Sequence, residues 1–170
     1  IGMDPADSKA AFQRHATSKI VTVEDLERIS SFGFRGEALP SIAAVSRTRL
    51  VTRPKGAAAG AEVVIEGGVL KGTGEHPCAA GTTIEVRDLF FNTPARRKFM
   101  KSEGTELGHV QDLVSHLSLS ALNVRFIFKA GDKTLFDLSP TEDLLSRLFA
   151  LQGEETAREL LRIEAQGEGI

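Results

Sequence analysis

Three stretches of this 170-residue sequence combine residue types that can grip a phosphate chain or a nucleotide base. The first is Arg14-His15-Ala16-Thr17-Ser18-Lys19, which sets two hydroxyls and an ammonium side by side where the chain must leave a helix. Hydroxyl donors and positive charge suit an anionic ligand, and the same residues also suit an ordinary polar loop. The second is Gly33-Phe34-Arg35-Gly36-Glu37-Ala38-Leu39. Its two glycines let backbone come close to a ligand, and a helix opening after them turns unpaired N–H groups outward, a ready anion site. The alternative is a glycine that ends one helix before another begins. No Lys-Ser/Thr ending follows, and no strand leads into a Gly-x-Gly-x-x-Gly run, so neither the P-loop nor the dinucleotide fingerprint is present. The third joins Gly81-Thr82-Thr83 to Asn92-Thr93-Pro94-Ala95-Arg96-Arg97-Lys98-Phe99. Gly81 and Thr82 can bring backbone and a hydroxyl against a flat base. Arg96, Arg97, Lys98 and Lys101 form a compact basic patch, which is a solvated helix face unless a phosphodiester backbone is its ligand.

Other chemistry is less well supplied. His15, His76, His109 and His116 show no ligand spacing with a Cys or carboxylate, so no metal site is expected. Glu103 and Glu106 stand near a helix start, where capping explains them better than general-base chemistry; no catalytic residue is assigned. Cys78 is the sole cysteine, which excludes an internal disulfide and suits a reducing cytoplasm. The net charge of -2 places any nucleic-acid contact on a local patch rather than on bulk charge. Trp and Tyr are absent, so ten Phe carry all the aromatic bulk and only they can stack on bases. No apolar run approaches the roughly 20 residues of a membrane-spanning helix, and the first residues lack signal-peptide features. Membrane contact is not expected.

The elements that must position these groups follow from local signals. Asp4-Pro5 opens a helix with a carboxylate cap and Pro at its first position, and helix-compatible residues reach His15. Thr22-x-x-Asp25 is a weak capping box for a second helix ending before Phe32-Gly33. Residues 38–45 suit a short buried helix, and 47–53 alternate as a strand. A strand at 61–66, the tight turn Gly67-Gly68 and a partner at 69–73 form a hairpin. Residues 81–87 have the β-branched alternation of a strand. Asn92-Thr93-Pro94 starts a helix reaching Met100. Residues 105–122 form the best amphipathic helix, with Leu107, Val110, Leu113, Val114, Leu117 and Leu119 at three- and four-residue spacings. A hairpin at 124–138 turns at Gly131-Asp132, and a further helix spans 144–151. Helices and hairpins without regular βαβ alternation predict an α+β fold, with a mixed or antiparallel sheet covered by helices on one face.

Taken in order, Gly2-Met3, Arg14 to Lys19, Gly33 to Leu39, Gly81 to Thr83 and Asn92 to Phe99 closely resemble the ATPase region of MutL-type DNA mismatch repair proteins. These belong to the GHKL group, together with gyrase, chaperone and histidine-kinase relatives. The resemblance is strong from Ile1 to about Leu138 and looser through Ile170. It implies a Bergerat-type sandwich in which ATP lies beneath a lid on a helix-covered sheet. It assigns residues 1–138 to a partial ATPase domain and 139–170 to the start of a second, transducer-like α+β domain. Gly2 then corresponds to the last glycine of an Asp-x-Gly-x-Gly motif beside the adenine. Thr17, Ser18 and Lys19 correspond to lid residues near the phosphates. Gly33, Phe34, Arg35, Gly36, Glu37 and Leu39 correspond to the triphosphate glycine block, and Thr82 to a threonine that helps hold adenine. The lid, residues 17–31, is expected to be mobile without nucleotide.

The same resemblance places a general-base Glu and a magnesium-ligand Asn on a helix before Gly2, and a Lys in the second domain. None is found at a matching position here, and both ends of the sequence read as cut. The implied parent binds ATP and Mg²⁺, forms a homodimer, and signals between a mismatch-recognition protein, DNA and downstream repair enzymes. Another GHKL ATPase of topoisomerase or chaperone type, or a DNA-binding module built on Arg96, Arg97 and Lys98, are the alternatives. Without a base to activate water or a seat for magnesium, phosphoryl transfer loses its main positioning and charge-stabilising groups. The 170-residue chain is therefore expected to hydrolyse ATP negligibly in a steady-state phosphate-release assay. Turnover comparable to that of an intact family member would overturn the expectation.

Overall fold

A computed structural model describes residues 1–16, 33, 35–153 and 155. The chain divides into two compact units, Ile1–Phe99 and Met100–Ile170. The expected boundary at Leu138 falls within the second of these.

Unit 1 is organised by strand β1, Arg47–Arg53. Antiparallel to it run β2, Gly60–Glu66, on one side and β4, Gly81–Arg87, on the other. Strand β3, Val69–His76, completes the order β3-β2-β1-β4 by pairing with β2 across the Gly67-Gly68 turn. All four strands pair antiparallel, so among the described residues the parallel pairing of a mixed sheet does not occur. Period-two alternation sorts the side chains between two faces. Thr48, Leu50 and Thr52 of β1 lie on the face of Ala61, Val63 and Ile65 of β2, and all six are buried. Ala43 joins this core, with Met3 and Phe12 packed against it. The opposite face carries cross-strand ion pairs, Arg49 to Glu62 at 2.6 Å and to Glu85 at 3.3 Å, and Arg47 to Glu66 at 3.5 Å.

Two short helices cover the apolar face. Helix α1, Pro5–Ala10, is capped by Asp4, whose carboxylate accepts from Asp7 N at 2.8 Å, and it packs on β2. It ends short of His15, which adopts a positive φ of 64°. Helix α2, Ala38–Ala43, packs on β1. The helix expected from Thr22 lies outside the described residues. Helices α1 and α2 lie over β1 and β2, and Ile84 and Val86 of β4 remain half-exposed on the same face.

Two sequence expectations need correction. The helix through Met100 is only one turn, α3, Pro94–Arg97, because Thr93 provides no side-chain cap and nothing packs on so short a segment. In unit 2, the 18-residue helix α4, Glu103–Ser120, has the predicted span, yet Ser118 is its only buried residue. Val110 and Leu113 are exposed because only α5, Leu144–Gln152, and strand β5, Phe126–Ala130, pack against α4. Strand β6, Lys133–Leu138, pairs with β5 through Gly131. Arg147 of α5 is buried, and its Nη2 donates to the carbonyls of Leu122 at 2.7 Å and Val124 at 3.0 Å.

Leu50, wholly buried at the centre of β1, is the best single probe of unit 1. Leu50→Ala should destabilise that unit by about 2–5 kcal/mol in urea unfolding, through lost transfer energy and a residual cavity. A loss below about 1 kcal/mol would show that the core lies elsewhere.

Candidate functional site

The first cluster forms where the N-terminal segment meets the ends of β1 and β4. Thr52 and Thr82 are direct cross-strand partners. Met3 N donates to Thr52 Oγ1 at 2.8 Å, and the two threonine hydroxyls stand 2.8 Å apart. Thr82 Oγ1 donates to the carbonyl of Ile1 at 2.6 Å. With its own proton spent on Ile1, Thr82 accepts from Thr52, whose hydroxyl also lies 3.2 Å from the Gly81 carbonyl. The result is a closed loop of hydrogen bonds around Gly2. A Cβ at Gly2 would run into the backbone carbonyl of Arg53, so only glycine fits there.

The second cluster joins the loop after α1 to the glycine turn before α2. Gly36 has φ of +66°, a left-handed conformation, and a Cβ on it would collide with the backbone of Ala16. Glu37 lies 3.4 Å from His15 Nδ1 through one oxygen and 3.4 Å from Arg35 Nε through the other. Stretches separated by about 20 positions in sequence are thereby held together. Arg35 keeps 76% of its side-chain surface, so its exposed pair with Glu37 is worth little and is easily exchanged for another anion. Gly33 is exposed and Leu39 half-buried. Thr17, Ser18, Lys19 and Phe34 lie outside the described residues.

The third cluster is the basic patch. Arg96, Arg97 and Lys98 on and after α3 are exposed, as is Lys101. Among the described residues none of the four has a carboxylate within 4.0 Å, whereas Arg47, Arg49, Arg87 and Arg125 are all ion-paired. The loop entering α3 is anchored to the end of α2. Phe90 N donates to the Val45 carbonyl at 2.6 Å, and Asn92 Nδ2 donates to that of Ala44 at 2.9 Å. Asp88 and Phe90 take positive φ values of 51° and 64° there. Strain of about 1–3 kcal/mol at such non-glycine positions persists only where surrounding contacts enforce it. The 2.7 Å bond from Arg47 to Asp88 supplies another such contact.

Sequence reasoning missed Thr52. Its signal was a hydroxyl on the same alternation as Leu50, where an apolar residue is the default. Among the described residues no group of three or more His, Cys, Asp or Glu is arranged to hold a metal ion, and no helix is long and apolar enough to cross a membrane. An open depression of about 420 Å³ lies over Arg47, Arg49, Val64, Glu66, Glu85 and Arg87, on the polar sheet face. None of the candidate residues lines it, and its arginines already have carboxylate partners, so it is the weaker candidate for an anion.

Comparison with known proteins bears on these clusters directly. No protein-family model matches the chain. It is 51% identical over 164 residues to the DNA mismatch repair protein MutL of Symbiobacterium thermophilum, covering 96% of this chain and 26% of that protein. It is 49% identical over 170 residues to MutL of Geobacter sulfurreducens, covering 99% of this chain and 28% of the relative. The chain thus spans between a quarter and a third of these relatives. Among solved structures, the Aquifex aeolicus MutL ATPase domain complexed with ADP superposes with a TM-score of 0.65 at 34% identity, over 77% of this chain and 52% of that one. The N-terminal domain of a DNA repair protein, at 19% identity and a TM-score of 0.66, has the same fold.

The hydroxyl loop supplies a direct test. Thr52→Val keeps shape but leaves Met3 N–H without its acceptor and Thr82 without its donor. Unit 1 should lose about 1–3 kcal/mol, the cost of unsatisfied buried groups, in chemical denaturation. An unchanged midpoint would show that the loop does not hold the N-terminal segment.

Proposed function

We propose that this chain, which belongs to the MutL family of DNA mismatch repair proteins, supplies the phosphate-facing and adenine-flanking parts of a GHKL nucleotide site. The observation that carries this reading is the contact of Gly36 with Ala16, reinforced by the Glu37 links to His15 and Arg35. It brings two matched sequence blocks to one place, at the start of α2 and directly before Thr17. ATP would bring to that turn an anionic chain for its free N–H groups and for Arg35. Gly33, Arg35, Gly36 and Leu39, with Phe34, Thr17, Ser18 and Lys19, form the phosphate side of the reading. Gly2 and Thr82 form the base side. Glu37 serves as the tether between the two blocks rather than as an anion ligand. The described residues offer no cluster for Mg²⁺, and no step is assigned to it.

In the whole protein, residues 1–138 belong on this reading to the ATPase domain and 139–170 open the transducer-like domain. ATP binding there orders the lid and drives homodimerisation, with signalling to a mismatch-recognition protein and downstream repair enzymes in the cytoplasm. Likeness to MutL sequences favours this over a topoisomerase or chaperone ATPase. DNA contact through Arg96, Arg97, Lys98 and Lys101 is a compatible second role, favoured by the absence of carboxylate partners around those cations.

Adding ADP to the isotopically labelled chain should shift the backbone amide signals of Gly33, Arg35, Gly36, Leu39 and Thr82. Gly36→Ala should abolish the shifts in the glycine turn. Shifts confined to Arg47, Arg49 and Arg87 would place the nucleotide on the polar sheet face and overturn the assignment.

A further inference from the structure

We propose that Phe99 is the base-stacking residue of the basic patch, and that the patch accordingly takes single-stranded DNA in preference to duplex. The inference rests on the DNA-contact reading of Arg96, Arg97 and Lys98. It begins from an anomaly of burial. Phe99 is 82% exposed, while the next most exposed phenylalanine among the described residues, Phe149, stands at 37%. Removing a phenylalanine from water is worth roughly 1.5–3 kcal/mol, so leaving this one out forfeits stability that the fold collects from the others.

Its surroundings indicate what would cover it. Arg96, Arg97 and Lys98 immediately precede Phe99, and Met100, itself 42% exposed, and Lys101 follow. Among the described residues these cations meet no carboxylate, so the ring stands within unneutralised positive charge. The complementary ligand carries closely spaced negative charges and flat apolar faces together. An acidic peptide has the charge without regular planar faces. In duplex DNA each base face is already stacked on its neighbour. A single strand leaves its bases free to stack on an aromatic ring while its phosphates meet the arginines and lysine. The chain has no Trp or Tyr to do this instead.

The absence of Trp also makes the test specific. Phe99→Trp places a sole indole at the position in question. Its emission should be that of an exposed indole and should be quenched on titration with oligothymidylate, but not with a duplex of equal length. By anisotropy of labelled DNA, Phe99→Ala should weaken single-strand binding about five- to hundredfold, the equivalent of one stacked base, and leave duplex binding within about twofold. Combined Arg96→Gln, Arg97→Gln and Lys98→Gln should weaken both. If that triple variant weakens both but Phe99→Ala changes neither, stacking is refuted and the patch reading survives. If the triple variant binds both DNAs as the parent chain does, the patch reading fails and this inference with it. Equal loss of single-strand and duplex binding in Phe99→Ala would assign Phe99 a structural role and overturn the proposal. Emission that is buried at the outset, or that shifts with protein concentration alone, would mean that protein covers the ring and would also overturn it.

Discussion

The hydroxyl of Thr52 lies at zero exposure in the middle of an otherwise apolar sheet face, and burial obliges it to find partners. It finds them in Met3 N, Thr82 Oγ1 and the Gly81 carbonyl. This one requirement fixes several things together. It sets the register at which β4 begins against β1, and it draws residues 1–3 along the strand ends. It closes a relay from the Met3 amide through two hydroxyls to the Ile1 carbonyl, in which each bond polarises the next. Gly2 sits inside that relay with both flanking peptide groups committed, and its backbone is pressed against Arg53 as a consequence. Glycine at this position therefore has a mechanical cause that is independent of any ligand.

A similar logic governs the second glycine. Gly36 combines a left-handed φ with a backbone-to-backbone approach to Ala16, so it is constrained twice. Glu37 adds an electrostatic tie of a particular kind. It occupies His15 and Arg35 from a largely exposed position, where screening keeps ion pairs weak. A phosphate arriving at this turn competes with a single carboxylate for Arg35, and the exchange costs little. The polar sheet face differs, since Arg47 and Arg49 are each held by two carboxylates across strands. Hydrogen bonds and charge from those partners raise both guanidinium pKa values further. Those arginines brace the sheet, whereas Arg35 remains available.

How much of this could be read from sequence varied with the range of the forces involved. Strands β1 and β4 were legible to the residue, because alternation and β-branched content are local signals bounded by Pro54 and Gly81. The cap at Asp4 was legible for the same reason. Burial of α4 was not, since three- and four-residue spacing reports which residues share a face and cannot report whether anything covers that face. The length of α3 failed similarly, as Pro at a helix start specifies a beginning and no end. At the site, the glycine turn was recognised as a potential anion holder from its own residues. Its contact with Ala16 and the bridge through Glu37 arise only when α1 and α2 pack on the same sheet. Nothing local marks Asp88 and Phe90 as left-handed, because their conformation is imposed by Arg47 and by the end of α2.

That last segment bears on how the clusters relate. Helix α2 begins at the glycine turn and ends in carbonyls that accept from Phe90 N and Asn92 Nδ2. The Gly67 and Gly68 amides, from the β2–β3 turn, hold the Ser46 and Ala43 carbonyls beside them. A six-residue helix clamped at its C-terminal end bends little, so displacement of its first turn must either be resisted by those bonds or be passed to the loop that carries α3. The positive φ values at Asp88 and Phe90 make that loop a place where release of strain would accompany movement. Coupling between the anion turn and the basic patch therefore needs no long pathway. It needs only that one short rigid element be shared, with its N-terminus in one cluster and its C-terminus holding the entry to the other.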